Sequence, residues 1–394
     1  MRRRRPGIRR ASRMRASTLV PLFKIGGLVV LGIGIVLVVI FVVVPLFGGS
    51  AGTDETLAEA TPEPTATPIA RPDMTELGKE LSAIVHKSIN DPYVFGSEIS
   101  FTTGNQLQSS PVIESVAVYD INTEQTTIIE GINKNYAFLF EPKHNDDYII
   151  YLDCKEEYGG AVCAYDRNTG EKFVMREYLF GKPKVSLSGD YALWLQQTGR
   201  GTDRLYLYQL STRESVEIEV FVNTKFAVSA PYMSDTAIVY VQPEGESALL
   251  DGSRDTDVAE ICVIPLREGG DAQRILFRPG TYVYDPMIEG SNIVFLNSNR
   301  DHNSSLMLST REGEGFSVPT VIADRVLNYY LGDGFVAYTK DEAVYIYYFK
   351  DGSTGRISPE TSRALLSSAN GKSIVWYDTT ELGIANVVYH AQVP

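Results

Sequence analysis

The chain has 394 residues, 44% of them hydrophobic and 22% charged, so most of it can bury a core in one large domain or two smaller ones. Residues 1–48 hold nine of the 36 lysines and arginines and neither Asp nor Glu. The remaining residues carry 27 basic and 49 acidic side chains, a net charge of −22. Such a charge disfavours nucleic acid and anionic membrane surfaces as binding partners.

An uncharged run of 23 residues, IGGLVVLGIGIVLVVIFVVVPLF, occupies residues 25–47. As a helix it would span a hydrocarbon core of ~30 Å. The basic residues directly before it predict, by the positive-inside rule, a cytoplasmic N-terminus and an extracytoplasmic remainder. We therefore predict a single-pass anchor in the cell membrane. A cleaved signal peptide ending near Gly49-Ser50-Ala51 is the alternative, although the apolar core of a signal peptide usually has only about 7–15 residues.

Residues 48–73, GGSAGTDETLAEATPEPTATPIARPD, are rich in Pro, Thr, Ala and Glu and show no apolar periodicity. That composition is typical of an extended stalk. The predicted organisation is a basic cytoplasmic tail at residues 1–24, a transmembrane helix at 25–47, a linker at 48–73 and an extracytoplasmic domain at 74–394. Because the tail is too short to fold, we assign the function to the outer domain.

Two distant stretches share one pattern, which reads DPYVFGSEISF at residues 91–101 and DPMIEGSNIVF at residues 285–295. In both, a turn rich in Gly, Asp, Asn or Ser precedes an apolar strand that ends on an aromatic residue. Seven such strands recur at intervals of 38–55 residues, and each is followed by a loop and a further strand. Their aromatic residues are Phe101, Tyr151, Trp194, Tyr240, Phe295, Tyr338 and Trp376.

A repeated unit of about 40–50 residues with four short strands predicts an all-β, seven-bladed β-propeller. Each blade has two apolar faces, so the aromatic residues should fill the space between adjacent blades. A β-sandwich with accidental periodicity is the alternative. The seventh unit, ending in NVVYHAQVP, has only three strands, so we expect residues 81–88 to add an N-terminal strand that completes its sheet and closes the ring. A short helix is the alternative for that segment, because Leu77, Leu81, Ile84 and Val85 have helical spacing.

The stretch GSNIVFLNSNRDHNSSLMLST resembles the TolB-like propeller repeat, and VAVYDINTEQTTI and AVCAYDRNTGEKF match the later half of that repeat. The resemblance covers residues 81–394 as scattered motifs. It implies the propeller fold and carries no activity with it. Some serine peptidases have related propellers, but we identify no hydrolase domain after the repeats. TolB has an N-terminal α/β domain where this chain has an anchor and a stalk.

Cys154 and Cys163 flank the hairpin in DCKEEYGGAVCAYD, and an extracytoplasmic location permits a disulfide between them. The sequence leaves open whether they pair. Cys262 alternates with apolar neighbours and should be a buried thiol. Zinc would need more ligands at closer spacing, and the four histidines form no pair with ligand spacing. No metal, cofactor or catalytic residue is therefore predicted.

A long acidic loop, QPEGESALLDGSRDTDVAE, separates two strands of the fourth unit. Its aspartates lack the spacing of a calcium loop, so a solvated loop is the simpler interpretation. Loops of this kind surround one mouth of a propeller, and binding residues are often found on loops. The residues of this loop and of equivalent loops predict a binding rim, with simple turn-capping as the alternative: Arg200, Arg204, Asp251, Asp255, Asp257, Arg300 and Asp301.

The preferred hypothesis is a propeller that binds or scaffolds a protein or glycan partner in the cell envelope, and its acidity favours a basic or polar partner. An enzyme, such as a hydrolase or lyase acting on envelope polysaccharide, is the alternative. Such an enzyme would need paired carboxylates or a metal cluster at the propeller axis. A third hypothesis is the outer part of a transmembrane signalling complex. The sequence does not determine the ligand, the oligomeric state or the glycosylation of the stalk.

Overall fold

The computed structural model describes residues 74–76, 89–105, 112–132, 134–155, 158–198, 202–222, 229–243, 259–266, 275–277, 283–298, 304–378 and 387–394. All of them belong to one compact unit, Glu63–Pro394. The predicted transmembrane helix and linker, and the segment 81–88, lie outside the described residues. Within the described residues the secondary structure is entirely β-strands and their connections.

The strands are numbered in chain order and have these bounds: β1 (Met74–Glu76), β2 (Asn90–Phe95), β3 (Glu98–Asn105), β4 (Val112–Asp120), β5 (Gln125–Ile128), β6 (Phe138–His144), β7 (Tyr148–Cys154), β8 (Gly160–Asp166), β9 (Lys172–Tyr178), β10 (Val185–Ser188), β11 (Tyr191–Gln197), β12 (Thr202–Gln209), β13 (Glu214–Val222), β14 (Tyr232–Met233), β15 (Ala237–Pro243), β16 (Ala259–Pro265), β17 (Ile275–Phe277), β18 (Val283–Glu289), β19 (Asn292–Ser298), β20 (Ser304–Glu312), β21 (Gly315–Phe316), β22 (Thr320–Ala323), β23 (Val326–Gly332), β24 (Phe335–Lys340), β25 (Ala343–Tyr348), β26 (Thr354–Arg356), β27 (Ala364–Asn370), β28 (Ser373–Asp378) and β29 (Val387–Gln392).

These strands form seven antiparallel sheets, which we number as blades 1–7. Consecutive strands pair in order in blade 1 (β2–β5), blade 2 (β6–β9), blade 3 (β10–β13), blade 4 (β14–β17), blade 5 (β18–β21, with β22 also pairing β20) and blade 6 (β23–β26). Blade 7 has the order β1-β29-β28-β27. The predicted all-β, seven-bladed propeller is confirmed, and the aromatic residues of the repeat lie on the second strand of each blade.

An N-terminal strand completes blade 7, but a different segment supplies it. Met74 lies opposite Ala391 and Glu76 opposite Tyr389, so β1 forms the outer edge of the sheet. The expectation that residues 81–88 pair with β29 is therefore wrong, since β1 holds that position. An outer strand covers little apolar surface, so the segment MTE has no hydrophobic pattern by which the sequence could reveal it.

Each pair of neighbouring blades shares an apolar cluster, and the aromatic residue of every second strand lies in the cluster shared with the preceding blade. All seven aromatic residues are at most 3% exposed. Trp194 of blade 3 packs with Ile150 of blade 2. Phe101 of blade 1 packs with Val375 and Val388 of blade 7, so an apolar contact also closes the ring.

Side chains of each first strand alternate between the two neighbouring blades, as the period of two in a β-strand requires. In blade 1, Val94 belongs to the cluster shared with blade 7, whereas Tyr93 contacts His144 of blade 2. In blade 4, Met233 belongs to the cluster shared with blade 3, and Tyr232 packs on the cluster shared with blade 5. The first strands therefore form the inner end of every interface, next to the axis of the ring.

Candidate binding channel

A central channel of ≈ 790 Å³ is surrounded by the first strands of all seven blades, which are β2, β6, β10, β14, β18, β23 and β27. Ligand pockets commonly have volumes of roughly 300–1,000 Å³. The lining includes Asp91 near the start of β2 and Gly290 in the turn after β18, so the channel follows these strands along their length. We call the mouth where first strands begin the start mouth, and the mouth where they turn into second strands the turn mouth.

Three acidic residues, each followed by proline, shape the start mouth. Asp91, Glu141 and Asp285 have φ angles of 49°, 49° and 48°, in the left-handed region that residues other than glycine rarely adopt. At each of them the pairing of the first and second strands shifts, which leaves an extra residue on the first strand. Bulges of this kind redirect side chains, and all three acidic residues line the channel.

Two of these carboxylates also join neighbouring blades. Asp91 Oδ2 accepts a hydrogen bond of 3.2 Å from the backbone N–H of Glu141. Asp285 Oδ1 accepts one of 2.6 Å from the backbone N–H of Ala230, and Lys184 Nζ lies 3.3 Å from Asp285 Oδ2. Asp91 and Asp285 are therefore structural joints as well as lining residues.

Equivalent positions of the seven first strands form a ring halfway along the channel. Each member lies opposite the residue that precedes the aromatic residue of its second strand: Tyr93, Lys143, Ser186, Tyr232, Met287, Tyr330 and Ser368. All except Ser368 line the channel. The two serines accept hydrogen bonds of 3.0 Å from backbone N–H groups of the adjacent blade, which leaves the larger side chains to define the centre.

The three tyrosines of this ring have hydroxyl groups without a hydrogen-bond partner among the described residues. Burial, with smaller contributions from Glu289 and Asp235, raises the pKa of Tyr232 to about 12. Burial also raises the pKa of Tyr93 and of Tyr330. Tyr232 and Tyr330 add to the rise at Tyr93. All three hydroxyls are neutral at physiological pH.

Lys143 places an ammonium group beside this tyrosine ring. Its Nζ donates a hydrogen bond to the carbonyl oxygen of Val185 and lies 5.9 Å from the ring centroid of Tyr93. Burial lowers the pKa of Lys143, and the nearby Glu141 opposes that change. Burial raises the pKa of Glu141 in turn. One part of the channel thus holds a desolvated ammonium and a desolvated carboxyl group.

Three acidic residues from consecutive blades surround one side of the turn mouth. Asp235, Glu289 and Asp333 lie at the ends of the first strands of blades 4, 5 and 6, and all three line the channel. Burial raises the pKa of Glu289, and Asp333 and Asp235 add to the rise. No ion pair neutralises any of these three carboxyl groups within the described part of the chain. This side of the channel is therefore strongly negative.

The structure describes only one of the residues predicted to form a binding rim. Arg204 lies within strand β12 rather than on a loop, and its guanidinium pairs with Glu217 of β13. It does not line the central channel. The other six lie outside the described residues, so their role in binding stays a prediction: Arg200, Asp251, Asp255, Asp257, Arg300 and Asp301.

The cysteine pair that the sequence left open does not form a disulfide. Cys154 lies opposite Gly160 on the neighbouring strand, and Cys163 lies opposite Tyr151. The two thiols are free and buried in clusters on opposite faces of blade 2. Cys154 Sγ instead lies 2.9 Å from the hydroxyl of Tyr178. The pairing fails because the hairpin register offsets the two cysteines by three residues.

Two further findings concern only the described residues. They contain no group of three or more His, Cys, Asp or Glu side chains placed to hold a metal ion. In the same part of the chain, no helix is long and apolar enough to cross a bilayer.

Sequence reasoning did not identify the channel residues, although a signal for three of them is present. An acidic residue followed by proline stands ten residues before the aromatic residue in blades 1, 2 and 5, at Asp91, Glu141 and Asp285. Two of these dipeptides belong to the repeat that predicted the architecture. The turn-mouth acids carry no comparable signal, since Asp and Glu are ordinary turn residues.

No family model and no curated protein sequence matches this chain. Solved structures do match it. The β-propeller domain of the Trilobed protease from Pyrococcus furiosus has a TM-score of 0.57 and 12% identity, over 78% of this chain and 95% of that chain. An oligogalacturonate lyase in complex with manganese has a TM-score of 0.53 and 14% identity, over 84% and 96% of the two chains.

A prolyl endopeptidase also matches, with a TM-score of 0.56 and 14% identity, over 81% of this chain. This chain spans only half of that enzyme's length. At these identities the similarity establishes the fold alone. The β-propeller fold that the TolB-like resemblance implied is thus confirmed.

Proposed function

We propose that this protein is a membrane-anchored binding module of the cell envelope and that its central channel recognises part of a protein partner. The observation that carries the proposal is a contrast within the repeat. The seven second-strand aromatic positions are all buried between blades, whereas the seven ring positions hold Tyr, Lys, Ser or Met. The two serines bond to adjacent blades, whereas the Tyr93, Tyr232 and Tyr330 hydroxyls have no hydrogen-bond partner among the described residues and line the channel. A cavity with a few placed polar groups is the usual form of a ligand site.

The charge of the lining indicates which partners fit. Six carboxyl groups and two lysines line the channel, so it repels anions and attracts cations or neutral polar groups. The excess of acidic residues over the extracytoplasmic domain extends this preference to the approach of the partner. A basic protein segment suits these charges better than an acidic polysaccharide does.

Channel-filling variants of the full-length chain in detergent test the proposal. Ser188 and Ala230 line opposite mouths of the channel, so Ser188→Trp and Ala230→Trp should each obstruct it. Val318 is 85% exposed and does not line the channel, so Val318→Trp is the matched control. Envelope proteins cross-linked to the wild-type chain should be lost from both channel variants and retained by the control.

Unchanged cross-linking by both folded channel variants would contradict a role for the channel. Thermal unfolding of each variant separates lost binding from lost structure. If the wild-type chain bound neutral glycans on an array, and both channel variants lost that binding while the control kept it, the ligand would instead be a glycan.

The anchor has a separate test. The apolar run at residues 25–47 and the basic tail support an extracytoplasmic propeller. The three native cysteines are buried, so they should react slowly with a membrane-impermeant maleimide. In intact cells Val318→Cys should be labelled, whereas Arg4→Cys should require permeabilisation. Labelling of Arg4→Cys in intact cells would overturn the orientation, and a mature chain lacking residues 25–47 would establish a cleaved signal peptide.

One observation favours a second candidate, an enzyme acting on envelope polysaccharide. Asp91 and Glu141 bring two carboxyl groups to one mouth, and burial raises the pKa of Glu141, with Asp91 adding to the rise. Two carboxyl groups in different environments can serve general acid–base catalysis. Oligogalacturonate, with and without Mn²⁺, is one substrate to assay, because a lyase for it shares the fold. Glu141→Gln should abolish any cleavage, and full activity in that variant would exclude this pair.

A further inference from the structure

We infer that blade 2 carries a second binding surface, separate from the channel, for a segment of a protein partner that has acidic and apolar side chains. This surface, which we call the blade 2 patch, consists of three basic and three apolar residues: Lys155, Tyr158, Arg176, Leu179, Phe180 and Lys182. None of them lines the channel. The patch therefore goes beyond the function proposed for the channel, and it takes a ligand of the opposite charge.

Two connections of blade 2 form the patch on the face of the propeller that surrounds the start mouth. Strand β7 runs away from the turn mouth, so its connection to β8, which contains Tyr158, lies on the start-mouth face. Strand β9 runs in the same direction and leads through Leu179 and Phe180 to β10. The two backbones touch, because a Cβ at Gly159 would lie 2.6 Å from the carbonyl oxygen of Tyr178 and 3.2 Å from Cα of Leu179. The two connections therefore present one surface.

The apolar side chains of the patch are strongly exposed. Tyr158 is 76% exposed, Leu179 64% and Phe180 44%. Single apolar residues scattered over a surface are ordinary, whereas a group of them on touching connections marks an interaction site. The blade does not need these side chains for its own packing, because the neighbouring Tyr178 is buried in the cluster shared with blade 3.

Three cations belong to the same connections, and each is held over an aromatic ring. The distances from cation to ring centroid are 4.8 Å for Lys155 on Tyr136, 4.1 Å for Lys182 on Phe140 and 4.0 Å for Arg176 on Tyr206. Within the part of the chain that the structure describes, none of these three cations forms an ion pair. The rings fix the positions of the charges and leave their N–H groups to donate hydrogen bonds to carboxylates of a ligand.

The charge of the patch indicates the chemistry of its partner. Beyond residue 48 the chain carries 27 basic and 49 acidic side chains, so most of its surface repels an acidic segment. The patch offers such a segment three cations. The described acid within it, Glu177, accepts a hydrogen bond of 3.5 Å from the Tyr136 hydroxyl. Glu156 and Glu157 lie outside the described residues. Carboxylates of a partner complement the cations, and its apolar side chains would cover the exposed apolar residues.

The position of the patch favours a protein over a lipid bilayer as its occupant. Met74 lies opposite Ala391, and the next residue, Gln392, lies opposite Ser373 beside the turn that follows β27. The chain therefore enters the propeller at the turn-mouth face, whereas the patch lies on the start-mouth face. The predicted anchor thus joins the propeller at the face opposite the patch.

Site-specific photocross-linking in cells that make the full-length chain tests the inference. The photoreactive residue p-benzoylphenylalanine replaces Tyr158 or, in a control chain, Val318, which is 85% exposed and lies in blade 5. Mass spectrometry should identify, from position 158 only, a cross-linked segment of another protein that contains both acidic and apolar residues. A cross-link to lipid, to a second copy of this chain or to a segment without acidic residues would overturn the inference, and so would the absence of any cross-link.

Charge variants of the cross-linking chain test how the segment is recognised. The double variant Lys155→Gln, Lys182→Gln should lower the cross-linking yield about fivefold or more, because it removes two of the three cations. The matched control, Lys350→Gln, Lys372→Gln, removes two exposed charges on the turn-mouth face and should change the yield less than about twofold. Equal losses in the two double variants would reduce the effect to overall charge and overturn the patch.

Two further variants separate the apolar contribution from the charge. Leu179→Ser should lower the yield several-fold and leave the thermal midpoint unchanged, because this side chain is mostly exposed. Glu156→Gln with Glu157→Gln removes negative charges that stand beside Tyr158 in the sequence, so it should maintain or raise the yield. A lower yield in the glutamine pair, or an unchanged yield in Leu179→Ser, would overturn the assignment to an acidic, apolar segment.

The outcomes separate the patch from the channel. Ser188→Trp and Ala230→Trp obstruct the channel and should leave cross-linking from position 158 intact. Loss of that cross-link in both variants, with unchanged thermal midpoints, would overturn a separate surface. Failure of the patch variants alone would overturn the patch and leave the function proposed for the channel standing.

Discussion

The interfaces between blades and the channel at their inner ends differ in what they require of a side chain. At the interfaces, aromatic residues such as Trp194, Phe295 and Trp376 are fully buried, and each belongs to an apolar cluster. Around the channel, equivalent positions carry Tyr, Lys, Ser or Met. Two sheets hold together only if their interface excludes water, whereas no sheet covers the centre of the ring. The aromatic packing positions and the channel-lining positions therefore lie on different strands of the same repeat.

The largest effect should come from the interfaces. Trp194→Ala removes a side chain with no exposed surface from between blades 2 and 3, so the free energy of unfolding should fall by about 3–5 kcal/mol. Urea denaturation measures this change. Val318→Ala, at a side chain that is 85% exposed, is the control and should leave the midpoint unchanged. A loss below about 1 kcal/mol at Trp194 would show that the interface repacks around the cavity.

Two histidines buried at interfaces should make stability depend on pH. Burial lowers the pKa of His144 to about 3, with a further contribution from Arg167, and burial lowers that of His390 to about 4. The unfolded chain protonates both near pH 6.5. Between pH 6.5 and about 4 the unfolded state thus binds more protons, so the free energy of unfolding should fall as pH falls, by on the order of 3 kcal/mol per histidine.

Urea denaturation at several pH values, compared with His144→Gln and His390→Gln, measures this dependence. Each substitution should flatten the slope, which separates the histidines from carboxyl groups such as Glu98, whose Oε2 lies 3.6 Å from His144 Nε2. An unchanged slope in both variants would mean that the histidines are solvated, and hence that the interfaces around them are open.

A smaller effect should come from the bulges at the start mouth. Asp285→Ala removes the acceptor for the Ala230 N–H and places a residue with a Cβ and no polar group at a φ of 48°. The expected loss is about 1–2 kcal/mol. Asp285→Asn should retain most of the stability, because asparagine tolerates this conformation and still accepts the bond. Equal losses in the two variants would assign the effect to the charge and its pairing with Lys184.

The smallest effect on stability should come from a side chain that lies neither at an interface between blades nor in the channel. Arg204 and Glu217 form an exposed pair on the outer strands of blade 3, and such pairs contribute little in water. Arg204→Ala should leave the thermal midpoint and partner capture unchanged. Lost capture with an unchanged midpoint would restore Arg204 to a binding rim and would extend recognition beyond the channel.

Much of the fold was predictable because the interfaces repeat. A polar turn followed by an apolar strand with an aromatic residue recurs seven times, so local pattern alone indicated the blades. The strands do not end on these residues as predicted, because each aromatic residue is the fourth of its second strand. Whether Cys154 and Cys163 form a disulfide was not predictable in this way. Cys154 and Cys163 look equivalent across a hairpin, yet a register offset of three residues places them in different clusters.

By itself, the sequence determined the number of blades, their second-strand aromatics and the acidic character of the domain, because those properties depend on spacing and composition along the chain. Only the tertiary structure decided that β1 completes blade 7 and that Tyr93, Tyr232 and Tyr330 line one channel. Those residues lie up to several blades apart in sequence. Only a closed ring of seven sheets brings these residues to the same channel, and a local sequence pattern cannot show which residues from different blades will face each other.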